Sequence, residues 1–204
     1  SLRSISLQLK AGEVLGIAGV AGNGQDELTA ALSGETRVAP GMIRLEGVPI
    51  GHLGPTRRRR LGLNVAPEER LGHAAAPEMS LTDNTFVSAR TRLRLSLKGL
   101  LKLGAARGYS RKIVEDFDVR TPGVGAAAGS LSGGNLQKYV IGREMLQDPE
   151  VLVVSQPTWG VDAGAAQAIR QALRDLAQRG CAVLVISQDL DELMEISNRF
   201  AVIA

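Results

Sequence analysis

The strongest local pattern in the chain is LSGGNLQK, at residues 131–138. Ser132 is a favourable N-cap residue, and apolar residues recur at helical spacing after it, so the pattern predicts a helix that begins here. The glycines Gly133 and Gly134 leave backbone N–H groups accessible at the positive end of the helix dipole, where anions are favoured. Taken alone, the segment is best explained as an ordinary helix cap.

Two fully apolar strands are predicted after this helix, at residues 151–154 and 182–186. The first is followed by SQPTWGVD at 155–162 and the second by SQDLDE at 187–192, and residues 164–178 between them have helical spacing. A last helix is predicted at 189–196 and a last strand at 200–203. Short apolar strands separated by helices predict a parallel α/β sheet.

A glycine-rich loop follows another short apolar strand, predicted at residues 14–17. The loop reads GVAGNGQD at 19–26, and a helix is predicted at 27–32. The spacing matches the phosphate-binding pattern G-x-x-x-x-G-K-[ST], except that Gln25 replaces the lysine and Asp26 the hydroxyl residue. Residues Gly19, Gly22, Asn23, Gly24, Gln25 and Asp26 are therefore candidate nucleotide-binding residues. Losing the lysine charge would weaken nucleotide binding by roughly ten- to a hundredfold.

Two other interpretations of this loop stay open from the segment alone. Gly22-x-Gly24 begins a dinucleotide-binding pattern, and Glu46 follows where a ribose-binding acid would lie, although Glu27 occupies the third glycine position. The loop is also explained by a tight turn that binds nothing.

The remaining elements complete an architecture with an insert. Residues 1–10 alternate as a half-buried strand does, and short strands are predicted at 42–45 and 61–65. Helical spacing replaces strand patterns from about residue 77 to 146. We therefore expect a core formed by residues 1–76 and 147–204 and an inserted helical subdomain at 77–146.

Taken together and in this order, the motifs resemble an ATP-binding cassette (ABC) ATPase domain over essentially the whole chain. Residues 131–135 look like the signature motif, and residues 135–138 resemble its extended form in sugar and nucleoside importers. Residues 155–158 resemble the Walker B end, Asp162 the D-loop and Gln188 the switch-histidine position. The resemblance implies a P-loop NTPase fold, α/β with a mainly parallel sheet, an N-terminal antiparallel β part and an inserted helical subdomain.

Further resemblances point to one subgroup. The run Pro67, Glu68, Glu69 and Arg70 resembles the segment at the Q-loop region of second cassettes, in importers whose two cassettes share one polypeptide. That region couples nucleotide state to the membrane partner in the family; a solvated charged loop is an equally good explanation. The glutamine in the lysine place also resembles these second cassettes.

The catalytic positions depart from the family pattern. The acid that holds Mg²⁺ and the glutamate that positions water are replaced by Ser155 and Gln156, and the switch histidine by Gln188, which cannot take up a proton near neutral pH. With Gln25 and Asp26 also altered, we expect no intact catalytic residue and weak or absent ATP binding at the chain's own site.

The signature motif is intact. In the family two cassettes pack head to tail, so that the signature of one completes the ATP site of the other. The resemblance therefore implies that residues Leu131, Ser132, Gly133, Gly134, Asn135 and Gln137 serve an ATP held by a partner cassette, with Mg²⁺ only at that partner site. Asp162 would link the two sites, and a helix cap explains it equally well.

The resemblance also implies partners and a location. The partner cassette would be the N-terminal half of the same polypeptide, and transmembrane permease subunits would bind at the cytoplasmic face of the membrane. The alternatives are a dimerisation or scaffold module that binds no nucleotide, and a dinucleotide-binding enzyme. The chain begins at Ser1 without Met, from which we expect a piece of a longer protein.

Composition excludes several other classes. Of 204 residues 44% are apolar and 22% charged, which excludes disorder, and the single Cys181 excludes an internal disulfide. A net charge of +3 is too small to indicate nucleic acid as a partner. The basic run 57–60 and the stretch 90–112, which holds eight basic and no acidic residues, are better explained as solvated faces than as sites for a dedicated acidic partner or lipid headgroups. His52 and His73 lack metal-ligand spacing, so no metal site is predicted.

Overall fold

The computed structural model of the chain describes residues 5–20 and 22–203. Its centre is a five-stranded sheet in the order β4-β7-β8-β1-β9, with every neighbouring pair parallel. These strands are β1 (Val14–Gly19), β4 (Leu63–Ala66), β7 (Val151–Ser155), β8 (Ala182–Ser187) and β9 (Arg199–Ile203). The predicted parallel α/β sheet is confirmed.

Two short antiparallel hairpins lie outside this sheet. One joins β2 (Arg44–Leu45) to β3 (Val48–Pro49), and the other joins β5 (Ser96–Leu97) to β6 (Leu100–Leu101). The helices are α1 (Gln25–Ser33), α2 (Pro55–Arg60), α3 (Leu81–Ala89), α4 (Leu103–Asp116), α5 (Gly133–Met145), α6 (Ala163–Gln178) and α7 (Leu190–Ile196). Two 3₁₀ turns occupy Pro40–Met42 and Ala128–Ser130.

Helices cover both faces of the sheet because its strands alternate buried side chains between two cores. Val183 and Val185 of β8 belong to the core that contains α5, α6 and α7, whereas Leu184 and Ile186 belong to the core that contains Leu28 of α1. Both sets are almost fully buried. This two-sided burial explains the continuous apolar runs of the central strands.

The helices α3, α4 and α5 pack against one another, and α5 also packs against β4 and β7. A single core therefore joins residues of the predicted helical insert, such as Leu81, Ile113 and Tyr139, to the sheet. The boundaries at residues 77 and 146 stay a prediction.

Three local predictions were wrong. Residues 5–10 form no strand and most are exposed, whereas 1–4 lie outside the described residues. The strand predicted at 42–45 is shortened by the turn at Pro40–Met42, and the helical stretch contains the hairpin β5-β6. Alternation along residues 1–10 indicated half-burial, but a strand also needs a paired neighbour, which sequence alone does not supply.

The basic run at residues 57–60 is not a uniformly solvated face. Arg58 is fully buried and donates to the carbonyl oxygens of Leu32, Gly51 and Leu53 at 2.7–2.9 Å. It thereby ties α2 to the end of α1 and satisfies carbonyls that the helix leaves without partners. Arg57 and Arg60 are exposed, as predicted.

A buried ion cluster anchors the C-terminal half of α5. The fully buried Glu144 pairs with Arg59 at 2.5 Å and with Arg143 at 2.9 Å, and it accepts from the Ser88 hydroxyl at 2.8 Å. Burial alone would raise the pKa of the Glu144 carboxyl, but the two guanidinium groups lower it below its usual value. This charged cluster fixes α5 against α2 and α3.

Candidate functional site

A cavity of about 840 Å³ lies at the carboxyl ends of four neighbouring strands, β4, β7, β8 and β1. Ligands of open α/β sheets bind at this edge. The loop after β1, the segment after β4, the residues after β7 and β8, and the start of α5 all line it. Of the predicted site residues, the cavity brings together Gly19, Gly22, Gln25, Asp26, Pro67, Glu68, Glu69, Arg70, Leu131, Gly133, Ser155, Gln156 and Gln188.

The glycine-rich loop turns directly from β1 into α1. Gly22 and Gly24 have φ of 90° and 107°, a region that favours glycine, and Gly24 is the N-cap of α1. The buried Gln25 side chain turns back across the loop, and its Nε2 donates to the Val20 carbonyl at 2.8 Å. A Cβ at Gly19 would lie 2.3 Å from that Nε2, so Gly19 makes room for the glutamine.

Two acidic side chains face the same side of the cavity. Asp26 is exposed in the first turn of α1. Partial burial and the charge of Asp26 raise the pKa of the Glu68 carboxyl, and the charge of Arg70 opposes this shift. This part of the cavity therefore carries negative charge where a phosphate-binding loop ordinarily holds an anion.

The residues in the Walker B position are buried, whereas the residue in the switch position is exposed. Ser155 is 4% and Gln156 7% exposed, whereas Gln188 is exposed. The backbone N–H of Gln156 donates to the Ile186 carbonyl at 2.8 Å, and its Oε1 accepts at 3.4 Å from the Ser187 hydroxyl and from the Gln188 N–H. These contacts tie the end of β7 to the end of β8.

A buried carboxylate that the sequence did not single out lies behind these residues. Glu192 of α7 is 2% exposed, and its two oxygens accept from the hydroxyls of Ser187 and Thr158, both at 2.7 Å. Glu192 thus connects the segments that follow β7 and β8. The only sequence signal was its place in the first turn of α7, where acidic residues are common.

At the start of α5, in contrast to the buried residues after β7, polar groups are exposed. Ser132 occupies the N-cap position, but its side chain makes no cap hydrogen bond; its hydroxyl instead accepts from Asn135 Nδ2 at 2.9 Å. Ser132 and Gly133 are both exposed. The predicted position of Ser132 as the N-cap is therefore confirmed, but its side chain does not cap the helix. Because the N–H groups of a first helical turn point outward along the axis, this end of α5 is open to an anion.

The other predicted signature residues are less accessible. Leu131, Gly134 and Asn135 are half-buried, and Asn135 Oδ1 accepts from the backbone N–H of Arg120 at 2.8 Å. Gln137 is 2% exposed and donates to the carbonyls of Gln156 and Pro157, at 3.1 and 2.9 Å. In this structure Gln137 positions the chain's own segment after β7.

Arg70 links the segment after β4 to this helix start. Its guanidinium donates to the Trp159 carbonyl and lies against both Gly133 and Gly160, where added Cβ atoms would be 2.9 and 3.3 Å from its nitrogens. Gly160 has a φ of 67°, so the turn after β7 also requires a glycine. The coupling role of Arg70 stays a prediction, and the sequence did not indicate this contact.

Asp162 is an exposed N-cap of α6. Its Oδ1 accepts from the Ala165 N–H at 2.9 Å, and this hydrogen bond is the main cause that lowers the pKa of the Asp162 carboxyl. The predicted helix cap is confirmed, and the link between two sites stays a prediction. Trp159 is 62% exposed beside the cavity.

The remaining reactive side chains lie apart from the cavity or serve the fold. Cys181 is buried, and burial raises the pKa of its thiol to about 12. His73 Nε2 contacts Glu35 Oε1 at 2.8 Å near the cavity rim. Among residues 5–20 and 22–203, no group of three or more His, Cys, Asp or Glu is placed to hold a metal ion, and no helix is long and apolar enough to cross a membrane.

Comparison with known sequences identifies relatives over the whole chain. A protein-family model described as ABC transporter matches residues 2–159. The nucleoside import ATP-binding protein NupA of Lactococcus lactis is 39% identical over 99% of this chain, and the arabinose import ATP-binding protein AraG of Vibrio parahaemolyticus is 37% identical over 97%. The chain spans 40% and 39% of the lengths of these two relatives.

Solved structures match the fold. A dimeric ATP-binding cassette, MJ0796, in a post-hydrolysis state with bound ADP and Pi superposes with a TM-score of 0.81 over 99% of this chain and 85% of its own, at 18% identity. A structure described as the ATP-binding subunit of an ABC transporter superposes with a TM-score of 0.79 over 99% of this chain and 79% of its own, at 20% identity. At such identities the likeness establishes the architecture alone.

Proposed function

Since this chain belongs to the ABC transporter family, we propose that it is the second nucleotide-binding cassette of a two-cassette importer ATPase, for a solute of the sugar or nucleoside class. The import proteins among its relatives support the solute class. That the chain spans about two fifths of their length supports a place for it as one half of such a protein. Residues 77–146 would form the helical subdomain of this cassette.

The proposal assigns different roles to the two sides of the cavity. The chain's own loop forms a degenerate site, because the side chains at its catalytic positions carry no charge suited to Mg²⁺ or to proton transfer. Gln25 bonds to its own loop, and the carboxylates of Asp26 and Glu68 would repel a phosphate. The residues present therefore do not fit a hydrolytic Mg-ATP site at this loop.

The start of α5 completes the ATP site of the partner cassette. The single observation that carries this role is the exposed start of α5, where Ser132 and Gly133 are exposed and no side chain caps the N–H groups of the first turn. A phosphate of the partner's nucleotide would accept from the N–H groups of this turn and from the Ser132 hydroxyl. Mg²⁺ would accompany that nucleotide at the partner's loop.

The remaining partners follow from this role. The other cassette would be the N-terminal half of the same polypeptide, and permease subunits would bind both cassettes at the cytoplasmic face of the membrane. The segment of Pro67, Glu68, Glu69 and Arg70 would transmit the nucleotide state, because Arg70 contacts the helix start and the turn after β7 at once.

A second candidate function is a cassette that dimerises without binding nucleotide itself. The observation that favours it is the Gln25 side chain, which lies across the loop that a phosphate would enter. Both candidates assign the same role to the start of α5, and they differ in the affinity of the chain's own loop.

Calorimetric titration of the chain with Mg-ATP, with phosphate release measured in parallel, tests the proposal. We expect no turnover above that of the double variant Gln25→Ala/Ser132→Ala. Heat of binding without turnover supports a degenerate binding site, and absence of heat supports the second candidate. Turnover clearly above the double variant would contradict both.

A further inference from the structure

The hairpin β5-β6 exposes an apolar surface that the proposed function does not use. Leu97, Leu100 and Leu101 of the hairpin are 59%, 76% and 55% exposed. Val87 of α3 and Leu103 of α4 extend the surface at 65% and 50%. These five residues are named here the hairpin patch. Leu97 and Leu100 are paired across the two strands and share one face of the hairpin, whereas Leu101 lies on the other face, so the hairpin exposes apolar side chains on both of its faces. Exposed apolar side chains grouped in this way mark interaction sites in a folded domain.

The base of the hairpin packs on a buried cluster and its turn is tight. The leucines at its tip are therefore held in an exposed position. Leu95, Ala89 and Ala106 form a small buried cluster beneath it, and the Lys102 N–H donates to the Leu95 carbonyl at 2.8 Å. Lys98 and Gly99 have φ of 47° and 85°, as the two central residues of a tight hairpin turn do. The strands are two residues long, too short to pair with a partner's strand.

A cationic groove adjoins the hairpin patch. It encloses about 610 Å³ between α2 and the hairpin, and its lining includes four basic residues: Arg60, Arg90, Arg94 and Lys102. The sequence holds no acidic residue between positions 84 and 114. Within the part of the chain that the structure describes, none of these four cations belongs to an ion pair, and Arg90 Nε donates to the Ser96 hydroxyl at 3.2 Å. Their charges are therefore not neutralised by the chain's own carboxylates.

The composition of this surface favours a lipid membrane over a protein. Protein interfaces are rich in Trp, Tyr and Arg at their centres and poor in Lys, and Leu and Val are under-represented among their dominant contacts. The hairpin patch consists of four leucines and one valine with lysines beside them. Short apolar segments flanked by Lys and Arg are typical of elements that lie in the interface of an anionic bilayer.

We propose that the hairpin patch and the adjoining cationic groove bind the surface of a membrane that contains anionic lipids. The leucines enter the boundary between headgroups and acyl chains, and the guanidinium and ammonium groups bind lipid phosphates. The long stems of Arg and Lys allow both at once, since they pack along apolar surface while their charged ends reach the headgroups. This contact would be independent of nucleotide and of the start of α5.

Sedimentation of the chain with vesicles tests the proposal. We expect binding to phosphatidylcholine vesicles that contain phosphatidylserine, no binding to phosphatidylcholine alone, and weaker binding as salt is raised. The triple variant Arg90→Gln/Arg94→Gln/Lys102→Gln and the double variant Leu100→Ser/Leu101→Ser should each weaken binding at least about tenfold, because each Lys or Arg near an anionic surface and each buried apolar group adds to the affinity.

Matched controls show whether a loss of vesicle binding comes from this surface or only from the lower total charge or hydrophobicity of the variant. Lys10→Gln/Arg37→Gln/Arg120→Gln removes three exposed cations elsewhere, and Met42→Ser/Val48→Ser removes two exposed apolar side chains elsewhere. Both should bind vesicles within about twofold of the unmodified chain. Absence of binding to anionic vesicles, or equal losses in the control and patch variants, overturns the proposal.

Depth of insertion gives a second measurement that does not depend on loss of binding. In Leu100→Trp, lipids brominated on their acyl chains should quench the new tryptophan, whereas the fluorescence of the unmodified chain, whose single Trp159 lies beside the cavity, should stay unchanged. Equal quenching in both proteins would contradict insertion of the hairpin. Binding of an acidic peptide without any vesicle binding would assign the groove to a protein partner and exclude the lipid role.

Discussion

The two sides of the central cavity differ in where their polar groups point. On the side of the glycine-rich loop, Gln25 and Gln156 bond to their own chain. At the start of α5, Ser132 and Gly133 are exposed and the helix has no side-chain cap. The difference teaches that polar side chains on the loop side are bonded within the chain, whereas the start of α5 keeps its N–H donors exposed.

The largest effect is expected from a negative charge placed at the exposed start of α5, since it would remove the difference between the two sides of the cavity. Gly133→Asp should fold, because an acidic residue in the first turn of a helix interacts favourably with the dipole and the adjacent Arg70 can move. If the chain is one half of the proposed two-cassette protein, the variant should lower that protein's ATP turnover at least about a hundredfold, because the carboxylate repels a phosphate and two charge-assisted hydrogen bonds are worth roughly 3–6 kcal/mol.

Phosphate release measures the turnover of Gly133→Asp, and the melting temperature of the same variant shows whether it folds normally. A matched control is Gly125→Asp, at an open loop position outside the cavity. If Gly133→Asp retained turnover while folding normally, the start of α5 would not contact a nucleotide.

On the side of the glycine-rich loop, the informative change is the addition of a positive charge. Gln25→Lys restores the positive charge and should raise the affinity of the chain for Mg-ATP by roughly ten- to a hundredfold, as expected for one charge-assisted hydrogen bond. It should not produce turnover, because Ser155 and Gln156 remain unchanged. Calorimetric titration measures the gain, with Gln25→Met as the uncharged control of similar length. An affinity equal to that of the control would show that charge at this position does not limit binding.

The sequence predicted the positions of the central strands, the loop and the helix start better than it predicted the contacts of their side chains. The central strands, the loop and the helix start were predicted because apolar runs, glycines and caps are local signals. The inward turn of Gln25 depends on the orientation of the Val20 carbonyl, which no local pattern indicates. Burial of Arg58 was missed for the same reason: a run of arginines resembles a solvated face until the end of α1 is brought beside it.

The hydrogen bonds of Glu192, behind the glycine-rich loop, give a test with a smaller expected effect. They test whether polar groups on this side of the cavity are stabilised by partners within the chain. Glu192→Gln removes one of two acceptor oxygens from a buried network with Ser187 and Thr158, and should lower the free energy of unfolding by about 1 kcal/mol. Urea denaturation measures it. Glu195→Gln, on the same helix but with a 41% exposed side chain, should change the free energy by less than about 0.5 kcal/mol. Equal effects of the two would indicate that the network contributes no specific stability.

The smallest expected effect concerns the pair of acidic groups on the loop side. The pKa of Glu68 is raised from 4.5 by burial and by the charge of Asp26, so the folded chain holds this proton more tightly than the unfolded chain. This group therefore lowers the free energy of unfolding as pH rises above 4.5, and Asp26→Asn should reduce that loss. The gain should stay below about 1 kcal/mol because the pair is largely solvated.

Glu27→Gln is the control for this pair, since Glu27 is also acidic and exposed in the first turn of α1, and the favourable dipole interaction lost in both variants then cancels. The difference in melting temperature between Asp26→Asn and Glu27→Gln should grow as pH rises from 4.5 towards 7 and then level off once Glu68 is ionised in both states. A difference that did not change with pH would mean that Asp26 does not act on Glu68. The two carboxylates would then lie too far apart to act on each other, and each would have to repel a phosphate by itself.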